Sequence, residues 1–208
     1  MSIFLSYIFL GLSLSAPIGP INAAQLDKGL RCGFWHAWLV GLGAMVADAM
    51  YMSMVYMGLV HFLSTPLIQT ALWVFGSFVL IYSGIDSLMG ASSVAVLTKK
   101  KDDTLFKSFF SGFLMSLSNP LTILFWLGIY GSVLAKTASV YGTQELLVYS
   151  SAILLGIVVW DFTMAGMASS FRRLMTPRLI TGISVLSGLS LIGFGLYFAV
   201  AACRLLLN

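Results

Sequence analysis

Ser13-Leu14-Ser15-Ala16-Pro17-Ile18-Gly19-Pro20-Ile21-Asn22-Ala23 lies inside a long apolar run and cannot be an uninterrupted helix. Each proline lacks an N–H and crowds the carbonyl four residues earlier, so Pro17 and Pro20 deprive Ser13 and Ala16 of helical partners. Such carbonyls are costly in hydrocarbon unless they face protein, water or a solute. Hydrocarbon is the surrounding that the composition demands: of 208 residues, 59% are hydrophobic and 9% charged, too few polar groups to cover a soluble surface. The expectation is an all-α integral membrane protein whose first crossing is broken at Pro17, Gly19 and Pro20.

Working outward, six stretches reach the roughly 20 residues that cross about 30 Å of hydrocarbon, near 3–25, 34–60, 66–90, 106–134, 144–169 and 179–204. Short connections leave a single transmembrane domain over 1–208. Nine of the eleven basic residues are read into three loops: Lys28 and Arg31 into the first; Lys99, Lys100, Lys101 and Lys107 into the third; Arg172, Arg173 and Arg178 into the fifth. Lys136 and Arg204 lie opposite. Cytoplasmic loops retain Lys and Arg, which puts loops 1, 3 and 5 inside and both termini outside. The net charge of +4 is thereby read as topology, with no nucleic acid as partner. The N-terminus has no basic region ahead of its apolar run and is not expected to be a cleaved signal. Cys32 and Cys203 fall at opposite faces, so neither a disulfide nor a metal or cofactor motif is expected.

The broken stretch recurs half a chain later, where Ser13-Leu-Ser-Ala-Pro-Ile18 is matched by Ser116-Leu-Ser-Asn-Pro-Leu121. Three helices separate the copies, and an odd number reverses the second copy in the membrane. The expected architecture is two inverted three-helix repeats, about 1–95 and 104–208, with helices 1 and 4 broken at prolines near the midplane.

Of seven acidic residues, Asp27, Asp102, Asp103 and Glu145 are read as solvated in or beside loops, and Asp86 as structural, close enough to the interface to reach the lysine-rich loop. Asp48 sits mid-helix, where an ionised carboxylate costs about 2.5–3.5 kcal/mol on insertion scales and is a functional candidate by default. Asp161 is its counterpart in the second repeat. Asn22 and Asn119 flank the breaks, and each amide both donates and accepts, which suits a zwitterion; a half-helix N-terminus would favour its carboxylate and an aspartate its ammonium. Gly41, Gly43, Ala44 and Ala47 form one packing face, and Ser184 with Gly188 another. Trp35, Trp38, Trp73, Trp126 and Tyr130 read as packing or interfacial anchors, and His36 and His61 as interfacial.

These features together, Pro17-Ile-Gly19-Pro20-Ile-Asn22-Ala23, Lys28-Gly29-Leu-Arg31, Gly33, Asp48 and Ser118-Asn119-Pro120, resemble the lysine-exporter (LysE/RhtB) family over essentially the whole chain. The resemblance implies secondary-active export of amino acids through the inner membrane of a bacterium, coupled to protons. It places Pro20, Asn22, Asp48, Asn119 and Pro120 along the path. Basic-amino-acid exporters of that family carry an acid shortly after the helix-4 Asn-Pro; here the run is Leu121-Thr-Ile-Leu-Phe-Trp126, which favours a neutral substrate. The first motif also departs from the Pro-Gly-Pro-Asn of the homoserine and threonine branch. The rival readings are a divalent-cation exporter using Asp48, Asp161, Asn22 and Asn119 as oxygen ligands, an intramembrane enzyme with Asp48 and Asp161 as a dyad, and a scaffold with no polar cavity. The small-residue faces leave a homodimer open.

Overall fold

The structure, a computed structural model, describes residues 3–16, 19–57, 66–95, 104–119, 122, 126, 130, 143–174 and 176–207. Among them every extended regular element is a helix: α1 (Ile3–Ser15), α2 (Pro20–Cys32), α3 (Phe34–Tyr56), α4 (Pro66–Ala95), α5 (Leu105–Leu117), α6 (Thr143–Leu174) and α7 (Pro177–Leu207). Among the described residues, four segments are long and apolar enough to cross a membrane, namely Phe34–Tyr56, Thr70–Met89, Glu145–Phe171 and Arg178–Leu205; α1 and α2 together make a bent fifth candidate. Leu105–Leu117 is a shorter apolar helix.

The first helix is not one kinked rod. α1 ends at Ser15, α2 restarts with Pro20 at its first position and extended Gly19 as N-cap, and the two axes differ by 79°. A proline there forfeits only an N–H that has no helical acceptor anyway. Pro17 itself lies outside the described residues. α2 also continues well past the expected end, to Cys32, which corrects the first loop: Lys28 and Arg31 are helical and mostly buried, and the whole connection to α3 is Gly33. Gly33 has φ 96°, the left-handed region where a side chain is strained, and its N–H closes onto the carbonyls of Lys28 and Gly29. Arg172 and Arg173 likewise belong to a helix, α6, instead of a loop.

Because lipid is as apolar as a leucine side chain, close backbone approach and interhelical hydrogen bonds must hold the bundle together. Three reciprocal glycine crossings provide it. A Cβ on Gly112 of α5 would meet the Val40 carbonyl oxygen of α3 at 1.9 Å, and one on Gly43 of α3 would meet that of Phe109 at 2.0 Å. Gly11 of α1 and Gly156 of α6 stand likewise over the Ile153 and Ile8 carbonyls, at 2.1 and 2.2 Å. Gly84 of α4 and Gly188 of α7 face each other's carbonyls at 2.7 and 2.9 Å. The expected small-residue faces at Gly43 and Gly188 are thus helix seams inside the chain. Beside the last crossing Ser87 Oγ donates to the Ser184 carbonyl at 3.0 Å, and Trp73 packs edge-on to Phe198 at 4.8 Å.

Candidate functional site

At the first break, a backbone donor and a side-chain donor reach carbonyls at the end of α1. The Ala16 N–H reaches the Leu12 carbonyl as the last turn of α1 closes. The Asn22 amide nitrogen donates back across the break to the Ser15 carbonyl at 3.0 Å, and its oxygen accepts from the Trp160 indole at 3.2 Å. Asn22 therefore ties α1 to α2 and both to α6. At the end of α5 the backbone N–H of Asn119 closes onto the Ser116 carbonyl at 3.1 Å, and the Tyr51 hydroxyl of α3 donates to the Leu117 carbonyl. Pro120 lies outside the described residues, while Asn119 is buried beside it.

The two mid-helix aspartates are held from opposite sides. Asp48 Oδ1 accepts from Ser116 Oγ at 2.9 Å and from the Trp126 indole at 3.1 Å, both in the stretch carrying the second break. Asp161 Oδ1 accepts from the Gln25 amide at 3.1 Å, three residues beyond Asn22 in α2. Each carboxyl is thus bound to the broken segment of the other half of the chain, and the two are not bonded to each other, as an enzymatic dyad would require. Asp48 is half-buried, Asp161 and Asn22 are buried, and Gln25 is fully buried with its amide oxygen lacking a hydrogen-bond partner. Pairing of amide and carboxyl is also enforced sterically, since a Cβ on Gly41 would meet Gln25 Nε2 at 2.3 Å and Asp161 Cγ at 2.6 Å. Gly41→Ala is expected to part the pair and lower the stability of the protein by about 1–3 kcal/mol, the usual cost of overpacking. Thermal unfolding in detergent checks this, and an unchanged midpoint would contradict it.

The sequence reading missed three of these residues. Gln25 and Trp160 are not among the sequence candidates, and Trp126, a packing or interfacial residue by sequence, holds Asp48 through its indole N–H. The signal available for Gln25 was its place one turn after Asn22 on α2.

A larger correction concerns the charged ends. Asp27 was expected in solvent, but it is 2% exposed and paired with Arg31 one turn along α2. Asp86 of α4 accepts from Lys28 Nζ of α2 at 3.1 Å and from Lys107 Nζ of α5 at 3.3 Å, with Arg31 at 3.9 Å. The expected reach of Asp86 to the lysine-rich segment is met by Lys107. This cluster stands at one end of a cavity of about 440 Å3 between α2, α4 and α5, whose walls are largely apolar, with Phe75, Phe78 and Val79 from α4 and Phe110, Leu114 and Met115 from α5, beside Ser83 and Ser111. None of the site residues singled out from the sequence lines it. Among the described residues, no three of His, Cys, Asp and Glu converge as metal ligands would.

The sequence model of the LysE type translocator family matches residues 12–202. A Bacillus subtilis (strain 168) protein named "Putative amino acid efflux protein YcgF" is 55% identical over the full length of both chains. The chemotactic transduction protein ChpE of Pseudomonas aeruginosa is 28% identical over 83% of this chain and 85% of its own. The leucine efflux protein of Enterobacter sp. (strain 638) is 24% identical over 85% of each. No solved structure matches at a significant level.

Proposed function

This chain belongs to the LysE type translocator family and is a transporter, not an enzyme; on that footing we propose that it exports amino acids, neutral ones ahead of basic ones, from a bacterial cytoplasm in exchange for protons. The observation that carries the reading is the cross-bonding of the two intramembrane aspartates, Asp48 to Ser116 and Trp126, Asp161 to Gln25. A proton arriving at either carboxyl changes a contact between the two halves, which is what coupling to alternating access requires. The names of the Bacillus and Enterobacter relatives, "Putative amino acid efflux protein YcgF" and "Leucine efflux protein", support the substrate class.

In this reading the chain crosses the membrane six times as inverted halves, 1–95 and 104–208, with α1 and α2 as the first crossing and α5 opening the fourth. The pairing of helices supports it: α1 crosses α6, α5 crosses α3, and α4 crosses α7, the set that a two-fold axis in the membrane plane exchanges. Gly43 precedes Asp48 by the same five residues that separate Gly156 from Asp161, and both glycines serve crossings. Pro17, Gly19, Pro20 and Asn22, with Asn119 and Pro120, form the two midplane breaks that Asp48 and Asp161 flank. Loops 1, 3 and 5 face the cytoplasm and the termini the outside.

Cells stripped of their own exporters and expressing this chain test the substrate class when fed dipeptides that flood the cytoplasm with one amino acid. Relief of toxicity from a leucine dipeptide, with little from a lysine dipeptide, is the expected outcome. Relief from neither would contradict amino acid export.

A further inference from the structure

The cavity between α2, α4 and α5 has the chemistry of a particular ligand. At one end a carboxylate, Asp86, stands between two ammonium groups, Lys28 and Lys107, each about one hydrogen bond away. Apart from Asp27, Ser83 and Ser111, the remainder is lined by aliphatic and aromatic side chains, and about 440 Å3 falls within the roughly 300–1,000 Å3 of small-molecule sites. A ligand that fits both ends carries a positive and a negative group on one carbon, together with an apolar body. An acyl chain alone satisfies only the apolar walls, and a dibasic amino acid would bury a second ammonium among phenylalanines at high cost.

We propose that this cavity is the docking site, on the side of the Lys28–Asp86–Lys107 cluster, for an amino acid zwitterion with an apolar side chain. The substrate carboxylate takes the lysine ammoniums, its ammonium takes Asp86, and its side chain lies along Val79, Leu114 and Met115. Exchange of one set of ion pairs for another leaves no buried charge uncompensated, so the cluster opens without a large desolvation cost. The position also connects the ligand to both aspartates. Ala24 lines the cavity and precedes Gln25, which holds Asp161; Met115 lines it and precedes Ser116, which holds Asp48. The proposal rests on the reading of the chain as an amino acid exporter and specifies where that exporter binds its cargo.

The test is binding of radiolabelled L-leucine to the full-length protein in nanodiscs, together with export of L-leucine and L-alanine from proteoliposomes. Unlabelled leucine should displace the label, whereas 4-methylpentanoate, lacking the ammonium, and leucinol, lacking the carboxylate, should compete at least about tenfold less well. Asp86→Asn keeps the side-chain shape and should weaken leucine binding by about tenfold or more, the worth of one lost ion-pair contact of about 1.4 kcal/mol. Lys107→Gln, at the 40% exposed edge of the cluster where folding is least at risk, should do so to a smaller degree. Ser111→Phe, which fills the cavity from α5, should raise the leucine KM about tenfold more than the alanine KM. Leucine affinity and selectivity unchanged in all three variants would overturn the site while leaving amino acid export in place. Loss of copurified phospholipid from Ser111→Phe with leucine binding intact would overturn it in favour of a lipid groove. A wild-type protein that exports neither amino acid would instead remove the reading beneath it.

Discussion

Asp48→Asn is expected to reduce proton-driven export by about 100-fold or more while the protein still folds and inserts, because the amide keeps what the fold needs and loses what coupling needs. Ser116 Oγ and the Trp126 indole both donate to Asp48 Oδ1, and the asparagine oxygen can accept both bonds. It cannot bind and release a proton, the role by which intramembrane carboxyls serve transporters. Asp48→Ala provides the contrast. It removes the acceptor, leaves a hydroxyl and an indole N–H unsatisfied, and should destabilise the protein by about 1–3 kcal/mol in addition to stopping transport. Transport rates in proteoliposomes and thermal midpoints of the two variants separate the effects; wild-type transport by Asp48→Asn would remove the residue from the mechanism.

The second large effect is on folding. Gly112→Val is expected to abolish correctly folded protein, since its first side-chain carbon would overlap the Val40 carbonyl at 1.9 Å, and backbone of α3 cannot step aside as a flexible side chain could. The overlap separates α3 from α5 and with it carries Asp48 away from Ser116. Gly193→Ala in α7 is the matched control: a Cβ there meets nothing within 4 Å, and replacing a helical glycine should if anything stabilise by up to about 1 kcal/mol. Size-exclusion profiles of fluorescent fusions report both. A monodisperse Gly112→Val peak with wild-type thermal stability would contradict the crossing.

What the sequence conveyed about this protein follows the physics of each feature. Prolines in an apolar run have only one local consequence, so the ends of α1 and α5 were legible at Pro17, Pro20 and Pro120. Isolated carboxyls in hydrocarbon are equally unambiguous, and Asp48 and Asp161 stood out for that reason. What stayed hidden depends on which helices are neighbours. Lys28 and Arg31 looked like loop residues because a lone charge is expensive inside a membrane protein; the fold brings Asp86 of α4 and Asp27 of α2 to them, so α2 continues through the charges to Cys32. Trp126 looked like a packing or interfacial residue, and Trp160 carried no signal at all, because an indole's hydrogen-bond partner is set by the facing helix. Gln25 carried too little distinction in a one-dimensional reading to be picked ahead of Asn22, although it is the residue that holds Asp161.

The central claim, that protons drive amino acids through this chain, is tested most directly with purified protein in liposomes loaded with L-leucine under an imposed pH gradient. Leucine is expected to leave the lumen when protons are supplied from the opposite side, internal pH to fall in step with the efflux, and Asp48→Asn to abolish both. Leucine efflux that proceeds equally with and without the gradient, and with no accompanying proton movement, would contradict it.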